Sequence, residues 1–143
     1  MSPGGKALFF KGDPDKTHKG GSVRIPLKDS FDVTRPFTLS CWIKPENLKI
    51  MPRPQQYEIL STARKNRGGG IRLLPSWNEA VFMTGSNVLR AKSSRFPIPR
   101  EEWSHLAVTF NGSRIRLYVN GVLAASTTDI EVLAEARQLE LQD

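Results

Sequence analysis

The chain has one cysteine, two histidines and no long apolar run, and each shortage excludes a class of protein. A single cysteine, Cys41, cannot form an intrachain disulfide. The histidines, His18 and His105, lie far apart in the sequence and lack the spacing of zinc ligands. No stretch approaches the ~20 consecutive apolar residues that a transmembrane helix needs. We therefore expect neither a disulfide scaffold, nor a zinc module, nor a membrane span.

Short alternating runs separated by turn residues fill most of the chain. Near the C-terminal end, three predicted strands follow one another at roughly His105–Phe110, Arg114–Val119 and Val122–Ser126. Asn120-Gly121 supplies the two positive-φ residues of a type I′ turn between the last two of these strands. The other predicted strands are Lys6–Phe10, Ser22–Leu27, Phe37–Pro45, Tyr57–Ala63, Gly70–Ser76, Glu79–Gly85 and Asn87–Ser93. Many short strands with regular turns predict an all-β, antiparallel sandwich or barrel.

The net charge of +7 is unevenly distributed along the chain. Residues 1–126 hold 20 basic and nine acidic residues, whereas residues 127–143 hold one basic and five acidic residues. We therefore divide the chain into a basic β-sandwich, 1–126, and an acidic C-terminal tail, 127–143, which forms either a short helix or one more strand. A basic body can attract nucleic acid, an anionic membrane surface or acidic proteins, or it can simply be soluble.

Several segments resemble the laminin G-like, concanavalin A-like lectin and glucanase domains, including pentraxin-like modules. They are "FTLSCWIKPE", "EILSTA", "GIRLL" and "EEWSHLAVTFNGSRIRLYVNGVLAAS", and the resemblance covers roughly residues 7–126. It implies two antiparallel sheets packed as a jelly roll. It also implies mostly binding roles, towards carbohydrates, matrix proteins or other proteins, although some relatives are glycosidases or lyases and many bind calcium.

The chain departs from this family after Ser126. Members of the family usually continue with further strands, one of them similar to G-x-I-D-E-V-R-I-Y, and no such segment follows here. We therefore expect an incomplete closing strand. Three explanations stay open: the tail supplies a degenerate strand, a partner chain supplies one, or the chain is a piece of something larger.

Acidic pairs suited to catalysis are scarce. Glycoside hydrolysis needs two facing carboxylates ~5–9.5 Å apart. Within residues 1–126 the close acidic pairs are Asp13/Asp15, in a glycine-bounded turn, and Glu101/Glu102, which would point to opposite sides of an extended chain. We expect no enzyme activity and no required cofactor. Asp13 and Asp15 are weak candidates for a calcium site, the alternative being a turn with two exposed acids.

A basic, glycine-rich stretch at residues 63–71, "ARKNRGGGI", is a second candidate site. Phosphate-binding P-loops require Gly-Lys-Ser/Thr at the start of a helix, whereas a predicted strand follows here. The stretch is therefore either a plain hairpin turn or a local positive cluster that contacts phosphate or acidic side chains. The cluster consists of Arg64, Lys65, Arg67 and Arg72.

The alternation of the strands predicts a binding face on one side of the sheet. Phe37, Leu39, Cys41 and Ile43 are in phase and should face the core, so Cys41 should be a buried thiol without a nucleophilic role. The opposite phase places four chemically useful side chains together, and these are Trp42, His105, Arg116 and Tyr118. Tryptophan and tyrosine beside arginine are typical of an interaction hot spot or a sugar-stacking platform. Alternatively, the segment Leu48–Gln56 or the tail covers Trp42.

These observations favour a non-catalytic interaction module that contacts a protein partner or a second copy within a larger assembly. The first alternative is a carbohydrate-binding module, with or without calcium. The second is an RNA-contacting subunit of a ribonucleoprotein, which would bind through the basic surface. We expect an intracellular location, because "MSPGGKALFF" is not typical of a secretory leader and a single cysteine fits a reducing compartment. An extracellular location follows if a leader was removed.

Overall fold

The computed structural model describes residues 4–10, 23, 35–46, 57–61, 70–74, 79–84, 87–91 and 95–128. These ranges contain eight β-strands and no helix. The strands are β1 (Phe37–Ile43), β2 (Tyr57–Ser61), β3 (Gly70–Leu74), β4 (Glu79–Thr84), β5 (Asn87–Ala91), β6 (Ser104–Phe110), β7 (Ile115–Val119) and β8 (Val122–Thr127). No segment among the described residues is a helix long and apolar enough to cross a membrane.

The strands form two four-stranded antiparallel sheets. The front sheet has the order β1-β6-β7-β8, so the first described strand pairs with β6, far along the chain. The back sheet has the order β2-β3-β4-β5 and is a simple meander. Two irregularities leave one residue unpaired in each sheet, Ile59 in β2 and Ala124 in β8. Such bulges bend a strand locally and increase its twist.

The core lies between the two sheets. In β6 every second residue, from Ser104 to Phe110, is buried, and β7 follows the same alternation. The ring of Phe37 on β1 contacts Phe82 on β4, with centroids 6.5 Å apart, and Phe110 on β6, with centroids 5.8 Å apart. The described residues thus form an all-β, two-sheet sandwich, which is the arrangement that the resemblance implies and one of the two that the alternation predicts.

The turn between β7 and β8 agrees with its prediction. Asn120 and Gly121 both have positive φ, 49° and 79°, as a type I′ turn requires. The turn at Asn111-Gly112 is different, since only Gly112 has positive φ there. The side-chain oxygen of Asn111 accepts hydrogen bonds from the backbone N–H groups of Ser113 and Arg114, at 3.0 and 2.9 Å, which closes a longer loop.

One predicted strand is absent. Residues 6–10 have no regular secondary structure, and Leu8, Phe9 and Phe10 are 70%, 71% and 51% exposed. Three consecutive apolar residues give no inside–outside alternation, so nothing in "LFF" specifies which face of a sheet it would join. The predicted strand Ser22–Leu27 lies outside the described residues except for Val23, which is exposed.

Candidate binding face on the front sheet

The outward side of the front sheet carries all four residues of the predicted binding face. Because alternate residues of β6 and β7 are buried, the residues between them point away from the core. The register places these outward residues in three rows across the strands. The rows are Trp42–His105, Ser40–Ala107–Tyr118 and Thr38–Thr109–Arg116. We call this surface the front face.

Trp42 and His105 form the aromatic end of the front face. They are direct cross-strand partners, and their ring centroids lie 5.0 Å apart with the planes tilted by 50°. Both side chains are partly exposed. Trp42 is therefore neither fully solvated nor fully buried, and its ring packs on the imidazole. The segment Leu48–Gln56 and all of the tail after residue 128, which could cover Trp42, lie outside the described residues.

The β7–β8 turn holds His105 in place. The backbone N–H of Asn120 donates to the carbonyl of His105 at 2.8 Å. The side-chain oxygen of Asn120 accepts from the backbone N–H of His105, also at 2.8 Å. The turn therefore bonds both backbone polar groups of His105, and this anchors the strand position on which the Trp42–His105 pair depends. The sequence predicts the turn, but the hydrogen bond from the His105 N–H to the Asn120 side chain could not be predicted without the strand register.

Small residues lie in the middle row of the front face. Ser40 and Ala107 separate the Trp42–His105 row from the Thr109–Arg116 row, and Tyr118 stands beside Ala107. His105 and Thr109 are four positions apart along one strand, which corresponds to about 13 Å. The front face is thus a shallow surface with a low centre, bounded by aromatic rings and by Arg116. The alternation of the strands already places Ser40 and Ala107 on the outward side, whereas their common row with Tyr118 follows only from the register.

Arg116 has no ion-pair partner among the described residues. Its cross-strand neighbours are Thr109 on β6 and Ser126 on β8, both hydroxyl-bearing residues, and its side chain is partly exposed. Strands β1, β6, β7 and β8 contain neither aspartate nor glutamate. The front face therefore combines aromatic rings, hydroxyl groups and a guanidinium, and its strands supply no carboxylate.

A family model described as the concanavalin A-like lectin/glucanases superfamily matches residues 17–140. The chain belongs to this family. Among solved structures it is similar to domain 4 of AbnA, a GH43 extracellular arabinanase from Geobacillus stearothermophilus, in complex with arabinotriose. The sequence identity is 25% and the TM-score is 0.44. The match covers 67% of this chain and 44% of the arabinanase chain, so this chain spans less than half the length of that structure. Comparison with curated proteins gives no match.

Membership of the concanavalin A-like superfamily is compatible with binding and with hydrolysis, because its description includes both lectins and glucanases. Hydrolysis requires a pair of carboxylates on one surface. The strands of the front sheet supply none. Glu101 and Glu102 lie in the turn before β6, where Glu101 has a positive φ of 61° and donates its N–H to the carbonyl of Pro45 at 2.7 Å. Both residues are exposed and lie on a loop tied to the end of β1.

Of the other predicted site residues, the structure describes Arg72 alone. Arg72 lies on β3 in the back sheet, opposite Val81. The rest of the basic cluster, Arg64, Lys65 and Arg67, lies outside the described residues, as do the calcium candidates Asp13 and Asp15. Within the described ranges no group of three or more histidine, cysteine, aspartate or glutamate residues could hold a metal ion.

Cys41 lies on the inner side of β1, opposite Leu106, and packs against the core. Burial raises the pKa of its thiol from 9.0 to about 11. The predicted inward position of Cys41 is therefore confirmed, and the thiol is protonated at neutral pH.

Proposed function

We propose that this domain binds carbohydrate on the front face and does not hydrolyse it. The observation that carries the proposal is the packed pair Trp42–His105, which shares one partly exposed surface with Tyr118 and Arg116. Membership of a superfamily that contains lectins is consistent with this assignment.

The chemistry of the front face suits a sugar. The apolar side of a pyranose ring packs well against an indole or phenol ring, and its hydroxyl groups need polar partners around that contact. Trp42 and Tyr118 supply the rings, while His105, Arg116 and Thr109 supply the polar groups. The low centre at Ser40 and Ala107 lets a ligand approach the sheet without displacing a large side chain.

A protein ligand is the second candidate, and one specific observation favours it. Leu123 on β8 is the cross-strand neighbour of Tyr118 and is 47% exposed, and Val122 beside it is 57% exposed. Exposed aliphatic groups next to a tyrosine are typical of protein interfaces. A protein partner would therefore bury the β8 side of the front face, whereas a sugar would use the Trp42 side.

The test is oligosaccharide binding to a glycan array, followed by titration calorimetry on the best ligand. We expect Trp42→Ala to weaken binding at least about tenfold, because it removes a ring contact. Trp42→Phe is the matched control and should retain most of the affinity, since it keeps an aromatic surface. Thermal melts of all variants establish that each remains folded.

Leu123→Ala separates the two candidate ligand classes. This substitution should leave oligosaccharide binding unchanged if sugars contact the Trp42 side of the front face. The carbohydrate proposal fails if the folded wild-type domain binds no oligosaccharide on the array. It also fails if folded Trp42→Ala binds the selected oligosaccharide as tightly as the wild type does.

A further inference from the structure

The exposure of the Arg116 side chain and the neighbours around it indicate the charge of the ligand. Its side chain is partly exposed, lies in the third row of the front face, and has no ion-pair partner within the described part of the chain. The back sheet presents a contrast, because Arg90 there lies 3.5 Å from the carboxylate of Glu79. The guanidinium of Arg116 in the front sheet therefore has hydroxyl-bearing neighbours, whereas that of Arg90 in the back sheet is paired with a carboxylate.

The surroundings of Arg116 reinforce a positive potential. Arg114, two residues before Arg116 and in the loop that precedes β7, is exposed and adds a second positive charge at this end of the front face. The acidic residues closest in sequence to the strands of the front sheet within the described ranges, Glu46, Glu101 and Glu102, belong to the loops at the Pro45 end of β1. An anion bound near Arg116 would therefore meet Arg116 on β7 and Arg114 just before this strand, and no carboxylate from the strands beneath it.

From this placement we infer that the front face selects acidic sugars, with a carboxylate or sulfate group of the sugar bound by Arg116. The inference rests on the carbohydrate-binding function proposed above and deepens it. A guanidinium is planar and presents parallel N–H donors, which match the two oxygens of a carboxylate or two oxygens of a sulfate. Thr109 and Ser126 beside it can bind neighbouring hydroxyl groups.

The spacing of the aromatic residues sets the length of the ligand. Tyr118 is two positions from Arg116 on the same strand, so one sugar ring against Tyr118 can direct its acidic group to the guanidinium. Trp42 lies two strands and one row away from Tyr118, which corresponds to about 12 Å. That span is longer than one pyranose ring, so the ligand is an acidic oligosaccharide whose further units reach Trp42 and His105.

The experiment uses an oligogalacturonate and its methyl ester, which share one sugar backbone and differ in charge. We expect the wild-type domain to bind the acid at least about tenfold more tightly than the ester by calorimetry. Arg116→Gln should weaken binding of the acid about 10- to 100-fold and leave the ester unchanged, whereas Arg116→Lys should retain part of the preference. A sulfated oligosaccharide shows which acidic group Arg116 prefers. If the wild type binds it more tightly than the oligogalacturonate, and Arg116→Gln loses this binding, the site is specific for sulfate.

Arg95→Gln is the matched charge control. Arg95 is exposed in the loop before β6, where its guanidinium lies 5.8 Å from the Phe96 ring centroid, and its removal lowers the net charge by the same amount. Equal weakening by Arg95→Gln and Arg116→Gln would overturn the inference, because the net charge alone would then attract the anion. Equal binding of polyglutamate or a single-stranded oligonucleotide would also overturn it.

The two proposals fail in different ways. If acid and ester bind equally and Trp42→Ala weakens both, the carbohydrate function stands and the selection for acidic sugars is wrong. If neither sugar and no sulfated oligosaccharide binds while another oligosaccharide on the array does, the carbohydrate function again stands and the selection for acidic sugars is wrong. If the folded domain binds no oligosaccharide on the array, the carbohydrate function itself is wrong.

Discussion

A single thiol, that of Cys41, has its reactivity set by its position in the sandwich. Only the thiolate reacts with iodoacetamide, and burial on the inner side of β1 raises the pKa of this thiol from 9.0 to about 11. At pH 8 the raised pKa leaves about 100-fold less thiolate in the folded chain than in the unfolded one. We therefore expect iodoacetamide to alkylate the folded protein at least about 100-fold more slowly than the unfolded chain. Mass spectrometry measures both alkylation rates. The rate should increase tenfold per pH unit from pH 7 to 9.

The urea-unfolded chain is the control for this alkylation measurement. Its thiol should titrate near 9.0, so its rate should level off as the pH rises above that value. Equal alkylation rates in the folded and unfolded chain at pH 8 would contradict the buried position of Cys41. The sequence could predict this position because alternation in "FTLSCWI" places Cys41 in phase with Phe37 and Leu39. It could not predict the packing of the next residue, Trp42, on His105, since that requires the register with β6.

At the scale of elements, the β7–β8 hairpin links a turn to the front face through Asn120. Asn120→Ala removes the acceptor of the His105 N–H and places an alanine at a φ of 49°. We expect the free energy of unfolding to fall by about 2–3 kcal/mol, from the left-handed backbone and the lost hydrogen bond together. Urea denaturation followed by tryptophan fluorescence measures this change.

Asn120→Gly separates these two contributions. Glycine accepts the positive φ but lacks the side-chain oxygen, so this variant should lose only about 1 kcal/mol. A loss as large as that of the alanine variant would mean that the backbone conformation contributes nothing. No loss at all would mean that the bond from His105 to the Asn120 side chain does not stabilise the hairpin.

The strands differ in how much of their structure could be predicted from the sequence. β1 to β5 each begin at the predicted residue, because turn residues precede alternating or apolar runs there. The second Asn-Gly pair, at Asn111-Gly112, forms a four-residue loop, so the dipeptide alone does not determine the turn type. The bulge at Ala124 could not be predicted either, since "VLAAST" has too little contrast between apolar and polar residues to reveal an extra residue.

At the scale of the whole molecule, the pairing of β1 with β6 brings together segments that are far apart in the chain. No local pattern encodes such a pairing, because its stability depends on contacts formed only after a long loop has closed. The resemblance of "FTLSCWIKPE" and "EEWSHLAVTF" to a known family supplied the two-sheet arrangement that alternation alone left open between a sandwich and a barrel. The front face follows from this pairing, since Trp42 and His105 meet only when β1 lies beside β6.

Phe82 tests whether the two sheets share one core. Its ring is 3% exposed on β4 and contacts Phe37 of the opposite sheet. Phe82→Ala should lower the free energy of unfolding by about 3–5 kcal/mol, because it removes a buried ring and leaves a cavity between the sheets. Phe9→Ala is the matched control: this ring is 71% exposed, so its removal should change stability by less than about 0.5 kcal/mol. Equal losses in the two variants, measured by urea denaturation, would contradict a core centred on Phe82. If the two sheets share one core, Phe82→Ala should unfold in a single cooperative transition. Tryptophan fluorescence and far-ultraviolet circular dichroism should then report the same midpoint, lower than that of the wild type, because the two sheets unfold together.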